Sequence, residues 1–124
     1  MQKEFLTNLC ENNKSAIIVG SIGTISYDLG TIEHPNKVLI KGAMGAALGC
    51  GLGMALNTLK KVIVVIGDGS YLMKLGSMAT INKFNPENLR VIVVNNNSYK
   101  SCGGQETYFT ALDGTTRIES IDLK

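Results

Sequence analysis

Asp68 and Asn96 are the two side chains in this sequence best placed to share a hard cation. Each comes after a run of branched apolar residues. Val62-Ile63-Val64-Val65-Ile66 precedes Gly67-Asp68-Gly69-Ser70, and Val91-Ile92-Val93-Val94 precedes Asn95-Asn96. Such runs suit the buried strands of a parallel sheet. If the two strands are neighbours, carboxylate and carboxamide converge beyond the carboxyl edge of the sheet, where ligands of open α/β sheets bind. Gly69 and Ser70 then open a helix whose free N–H groups and positive dipole end favour an anion. One carboxylate, one carboxamide and an anion site suit Mg²⁺ bridging to a phosphorylated ligand, because Mg²⁺ takes oxygen ligands and completes its octahedron with phosphate and water.

The elements that must position these groups follow from the pattern. Tyr71 to Phe84 has helical composition, with Leu72, Leu75, Met78, Ala79 and Asn82 at helical spacing, and Asn85-Pro86 breaks it. A parallel pair needs a crossover of this kind, and the right-handed one is strongly preferred. Upstream, a polar helix is expected around Phe5-Leu6 and Leu9, ending at Asn12-Asn13. Ala16-Ile17-Ile18-Val19 reads as the first strand, and Gly20-Ser21-Ile22-Gly23-Thr24 as the turn at its carboxyl end. That turn is either a second phosphate-holding loop or an ordinary strand-to-helix turn capped by a hydroxyl. A short helix over Ser26 to Gly30 and a short strand at Val38-Leu39-Ile40 follow.

Gly42 to Leu59 reads as a helix with Gly45, Gly49 and Gly53 on one face. Each interior Gly costs about 0.8–1 kcal/mol relative to Ala, so the stripe implies close packing, on the sheet or on a partner subunit. Cys50, Met54, Ala55 and Leu56 then fall in the core. Ile118-Glu119-Ser120-Ile121 reads as the start of a further helix. The expected fold is α/β: a parallel sheet flanked by helices on both faces, in one domain spanning residues 1–124.

Three segments together carry a family resemblance. Gly42-Ala43-Met44-Gly45, Gly67-Asp68-Gly69-Ser70-Tyr71-Leu72-Met73 and Ser101-Cys102-Gly103-Gly104-Gln105 are present, and Asn95-Asn96 follows the Gly-Asp-Gly after residues 70–94. The sequence resembles the diphosphate-binding (PP) domain of thiamine diphosphate-dependent phosphonopyruvate and sulfopyruvate decarboxylases, over roughly Ile17 to Ile121. The resemblance implies a thiamine diphosphate-binding fold that normally continues with at least one more helix and strand, so the chain reads as truncated at its carboxyl end or as part of a split protein. It implies Mg²⁺ on Asp68, Asn96 and the Ser98 carbonyl. It implies a diphosphate grip from Thr24, Gly67, Gly69, Ser70, and the backbone of Lys100 or Ser101. Met44 would wedge between the cofactor's two rings, and the Gly42 carbonyl would accept from its 4′-amino group. These two are the expected catalytic positions.

The activity implied is decarboxylation of a small anionic 2-oxoacid. Gly103-Gly104-Gln105 favours phosphonopyruvate over sulfopyruvate, and Lys100 and Gln105 are candidates for holding the anionic head. The glutamate that activates the cofactor in such enzymes has no match here. A partner carrying the pyrimidine-binding (PYR) domain is therefore expected, as a subunit or as the other half of the same enzyme, in a homo- or hetero-oligomer. An acetolactate synthase-like enzyme and a non-catalytic cofactor-binding fragment are the alternatives.

Composition bounds the rest. The chain has 124 residues with 12 Lys and Arg against 10 Asp and Glu, a net charge of +2, which gives no electrostatic footprint for nucleic acid. Cys10, Cys50 and Cys102 lack CxxC spacing and make an odd count, which argues against a disulfide framework and fits a reducing, cytoplasmic compartment. His34 beside Pro35 reads as a surface residue, and Cys102 lacks a neighbouring His to activate it. Residues 42–59 carry no charge, but five of them are Gly, which makes the run too weakly apolar for a membrane span.

Overall fold

The computed structural model describes residues 1–99, 103–109 and 118–122. Among these residues five strands form one parallel sheet: β1 (Ile17–Gly20), β2 (Lys37–Leu39), β3 (Val62–Gly67), β4 (Leu89–Asn95) and β5 (Ile118–Asp122), in the order β2-β1-β3-β4-β5. The helices are α1 (Gln2–Asn12), α2 (Thr24–Gly30), α3 (Ala46–Leu56), α4 (Asp68–Met73) and α5 (Ser77–Phe84).

Alternation along the strands creates two cores. Val62, Val64 and Ile66 of β3 and Val91 and Val93 of β4 point to one face, where Leu48 and Leu52 of α3, Tyr71 of α4 and Ile81 of α5 cover them. Ile63 and Val65 with Ile92 and Val94 point to the other, under Leu6 and Leu9 of α1 and Ile25 and Leu29 of α2. Strands buried on both faces cannot alternate apolar with polar, which is why they are unbroken branched runs. The expected parallel sheet with helices on both faces is what the chain forms.

The order β2-β1-β3 places the second strand and the third on opposite sides of the first. The connection α2 therefore lies on one face and α3 on the other, and a crevice opens where the direction reverses, between the carboxyl ends of β1 and β3. Ligands of open α/β sheets bind at such switch points.

Several expectations are corrected. The segment at 118–122 is a strand, not a helix: it pairs in parallel with β4, with Ile92 opposite Glu119 and Asn95 opposite Asp122. Arg90 Nε and Nη2 bind the two Glu119 carboxylate oxygens at 2.7 and 2.8 Å, which fixes that pairing. The helical segment after Ser70 is two helices, broken at Lys74 to Gly76. The break takes Leu75 and Ala79 out of the core and leaves Tyr71, Met78 and Ile81 in it. Leu56 is likewise exposed at the end of α3, while Ala55 is buried and Cys50 and Met54 are half-buried against the core.

The glycine stripe does not pack as expected within this chain. A Cβ at Gly49 or Gly53 would meet open space, whereas one at Gly51 would run into Val64 Cγ2. Gly51 is thus where α3 presses on the sheet. Gly45 lies before the helix rather than in it, with φ +89°, and a Cβ there would sit 2.9 Å from the Ser70 carbonyl oxygen. His34 is half-buried, accepting from Asn36 N–H on Nδ1 at 3.1 Å, with Nε2 2.9 Å from the Asn13 carbonyl; it links the ends of α1 and β2.

Candidate functional site

The turns after β1, β3 and β4 meet at one cavity on the carboxyl edge of the sheet. Gly23 and Thr24 come from the first turn, Gly67 to Ser70 from the second, and Asn96, Ser98 and Tyr99 from the third. Met44, in the turn between β2 and α3, contributes the fourth wall. The register brings the turns after β3 and β4 together, because Gly67 of β3 pairs with Val94 of β4. Gly42 is exposed, two residues before Met44, and does not line the cavity. Lys100 and Ser101 lie outside the described residues.

Asp68 is only 2 % exposed, and it is the single charged side chain among the lining residues described. Its Oδ2 accepts from the Thr107 hydroxyl at 2.5 Å, and its Oδ1 from the Asn96 N–H at 3.4 Å. An ionised carboxylate offers about four lone-pair positions, so acceptor capacity remains for a cation. The Asn96 carboxamide oxygen accepts the Ser98 N–H at 3.0 Å, an Asx turn that folds residues 96–98 at the end of β4. Asn95 plays another part. Its Nδ2 donates to Asp122 Oδ1 at 2.9 Å, and its Oδ1 accepts from Asn97 N–H at 3.0 Å.

Thr24 is the first residue of α2 and is exposed, and no side-chain hydrogen bond caps that helix. The hydroxyl-cap alternative therefore does not hold at this turn. Instead the Gln2 carboxamide donates to Thr24 Oγ1 at 3.3 Å and to Asp28 Oδ2 at 2.8 Å. Ser26 Oγ fixes the turn from below by donating to the Ser21 carbonyl at 2.5 Å.

Three lining or supporting residues escape the sequence reading. Tyr99 lays its ring over Gly69, where a Cβ would fall 2.7 Å from two ring carbons. Gln2 reaches the cavity from α1, and Thr107 reaches Asp68 from the far limb of the loop after β4. An aromatic in an Asn-rich loop was a weak signal for Tyr99. Neither Gln2 nor Thr107 has any local pattern, because tertiary folding alone brings them in.

The donor set has a definite chemistry. The side-chain groups named for a cation are all oxygens, which suits Mg²⁺ or another hard cation over a thiolate-seeking metal. Among the described residues, no cluster of three His, Cys, Asp or Glu side chains could hold a metal by itself. A cation at Asp68 would therefore need ligand oxygens from its partner molecule, as a diphosphate provides. The site fits a Mg²⁺-diphosphate pair.

The family description "Thiamine pyrophosphate enzyme, C-terminal TPP binding domain" matches residues 19–123. This chain belongs to that family. The thiamine diphosphate-binding domain so identified has curated relatives of known activity. It is 40 % identical over 107 residues to the sulfopyruvate decarboxylase subunit beta of Methanocaldococcus jannaschii, covering 85 % of this chain and 57 % of that one. It is 42 % identical over 106 residues to the phosphonopyruvate decarboxylase of Streptomyces viridochromogenes, covering 85 % of this chain and 27 % of that one. The chain thus spans little more than half of the first relative and about a quarter of the second. A solved structure of 2-oxoglutarate:ferredoxin oxidoreductase from Magnetococcus marinus superposes with a TM-score of 0.67 at 19 % identity, over 85 % of this chain and 36 % of that one. That likeness establishes the fold. No helix among the described residues is long and apolar enough to cross a membrane.

Proposed function

We propose that this chain supplies the diphosphate- and metal-binding half of a thiamine diphosphate- and Mg²⁺-dependent decarboxylase acting on a small anionic 2-oxoacid. The observation that carries the reading is the meeting of Thr24, Asp68 and Asn96 at one cavity, from three separate strand ends. In this reading Asp68, the Asn96 carboxamide and the Ser98 carbonyl hold Mg²⁺. The Thr24 hydroxyl and the backbone at Gly67, Gly69 and Ser70 receive the diphosphate, with Lys100 and Ser101 completing the grip. Met44 would support the cofactor from the turn between β2 and α3, and the Gly42 carbonyl, just outside the cavity lining, would receive its amino group.

The bound cofactor supplies an electron sink for the departing carboxylate. The protein's share is to fix the diphosphate, shape the cavity and exclude water. The names of the relatives support phosphonopyruvate or sulfopyruvate as substrate. Both are 2-oxoacids with an anionic head, which calls for donors such as Lys100 and Gln105 or for cationic groups on a partner. The acid that activates the cofactor belongs to a PYR-domain partner. Relatives named as a subunit beta support such a division between chains.

The test is CO₂ release from phosphonopyruvate, sulfopyruvate and pyruvate, by this chain with its PYR-domain partner, thiamine diphosphate and Mg²⁺. One anionic substrate is expected to turn over well above pyruvate, and the chain alone is expected to turn over none. Equal turnover of pyruvate, or full activity without a partner, contradicts the reading.

A further inference from the structure

We propose that Thr107 is a positioning residue for the metal-binding carboxylate. The far limb of the loop after β4 would then belong to the cation site. This inference rests on the proposed function and assigns it a residue outside the family signature.

The Thr107 hydroxyl lies 2.5 Å from Asp68 Oδ2, and both residues are buried, at 7 % and 2 % exposure. A carboxylate can only accept, so the Thr107 O–H is the donor and its direction is fixed. With Asn96 N–H on Oδ1, one protein donor sits on each oxygen. Together they hold the carboxylate plane and leave its other lone pairs for a cation. Without the hydroxyl, Oδ2 of a buried carboxylate would lose its donor and the side chain would be free to turn about its terminal torsion.

Thr107 and its neighbours on both sides are held against the rest of the site. Its N–H donates to the Asn97 carbonyl at 3.1 Å, which closes the loop against the end of β4. Just inside that closure, Tyr99 N–H donates to the Gln105 carbonyl at 2.8 Å, and Ser98 bridges Glu106 in antiparallel fashion. Two residues on, Phe109 packs edge-to-face on Tyr71, with ring centroids 5.8 Å apart, and Tyr71 belongs to the helix that Asp68 begins. These contacts place the Thr107 hydroxyl against Asp68. Partners that orient metal ligands in this way change metal affinity by about tenfold to 100-fold when removed.

The experiment uses the full chain with its PYR-domain partner. It measures the Mg²⁺ concentration that half-saturates thiamine diphosphate binding, together with the melting temperature without metal. Thr107→Val keeps the shape and removes the donor, and Thr107→Ser keeps the donor. Valine is expected to raise the half-saturating Mg²⁺ about tenfold to 100-fold, with serine close to wild type. A purely structural role would lower the melting temperature of the valine variant and leave its Mg²⁺ requirement unchanged, and that result overturns the proposal. If the valine variant does not fold, Thr107→Ala takes its place, and equal Mg²⁺ requirements for the alanine and serine variants overturn the proposal. Wild type that binds no thiamine diphosphate in a Mg²⁺-dependent way overturns the proposed function itself, and is seen before any variant is compared.

Discussion

The Asn95 carboxamide donates to Asp122 across the β4–β5 pair at 2.9 Å, while the next residue, Asn96, turns its carboxamide to the cavity side of the loop. Two adjacent asparagines of one motif therefore do separate work. The first ties the sheet edge together, and the second lines the cavity, where the proposed function gives it a ligand. Asn95→Ala is expected to cost about 1–2 kcal/mol of stability, from two lost hydrogen bonds. Asn96→Ala loses one exposed hydrogen bond and is expected to cost less, about 0.5–1 kcal/mol, and to weaken Mg²⁺-dependent cofactor binding. Urea denaturation and calorimetry of both variants separate the two roles.

In the proposed function, Gln2 prepares the Thr24 hydroxyl for the diphosphate. Its amide nitrogen must face Asp28, because a carboxylate only accepts, and the same nitrogen reaches Thr24 Oγ1. The hydroxyl oxygen is then occupied as an acceptor, and its proton is free to donate into the cavity. Gln2→Leu removes about one hydrogen bond's worth of orientation, about 1 kcal/mol, or roughly fivefold in cofactor affinity. Titration of the variant with thiamine diphosphate at saturating Mg²⁺ reads it directly, and unchanged affinity would show that Gln2 plays no such part.

The glycines of α3 predict opposite responses to one change. Gly51→Ala would drive a methyl into Val64 on a central strand, at a cost of about 1–3 kcal/mol. Gly53→Ala meets open space and gains about 0.5–1 kcal/mol in the free chain. A partner backbone seated on the Gly49–Gly53 face would reverse the second sign in the assembled protein. Thermal melts of the chain with and without its partner therefore also tell whether that face is an interface.

The Arg90–Glu119 pair predicts a small pH dependence. The Arg90 hydrogen bond holds the Glu119 carboxyl below its ordinary value; burial opposes it, and the charges of Arg90 and Lys61 add to it. A carboxylate depressed in the folded state stabilises above its unfolded pKa and loses that contribution as pH falls through its folded pKa. Both side chains are substantially exposed, at 30 % and 48 %, so the contribution is less than about 1 kcal/mol. Glu119→Gln should lie slightly below wild type in urea stability at pH 7, with the gap closing as pH falls through the lowered Glu119 titration.

The parts of the fold visible in the sequence are those written in local pattern. β1, β3 and residues 91–94 of β4 are runs of branched residues, and each ends at a residue that breaks the run, so strand and turn are both legible. Asp68 and Asn96 are legible for the same reason. Strand order is not, since nothing local in Lys37–Leu39 says that it pairs with the far side of β1 rather than with β3. The segment Ile118 to Ile121 is too short for its spacing to separate helix from strand, and its pairing with β4 decides the matter. Gly76 marks the break between α4 and α5, yet a single Gly inside a helical pattern is often tolerated. Gln2 and Thr107 act at the site only through tertiary contacts, beyond the reach of any window of sequence.

The central claim is that this cavity takes thiamine diphosphate through a divalent cation on Asp68. Calorimetry of thiamine diphosphate with and without Mg²⁺, on the assembled protein and its Asp68→Asn variant, tests it most directly. The prediction is binding that requires Mg²⁺ in wild type and falls below detection in a variant whose melting curve shows it folded. Equal binding without a divalent cation, or undiminished binding by folded Asp68→Asn protein, would contradict the account.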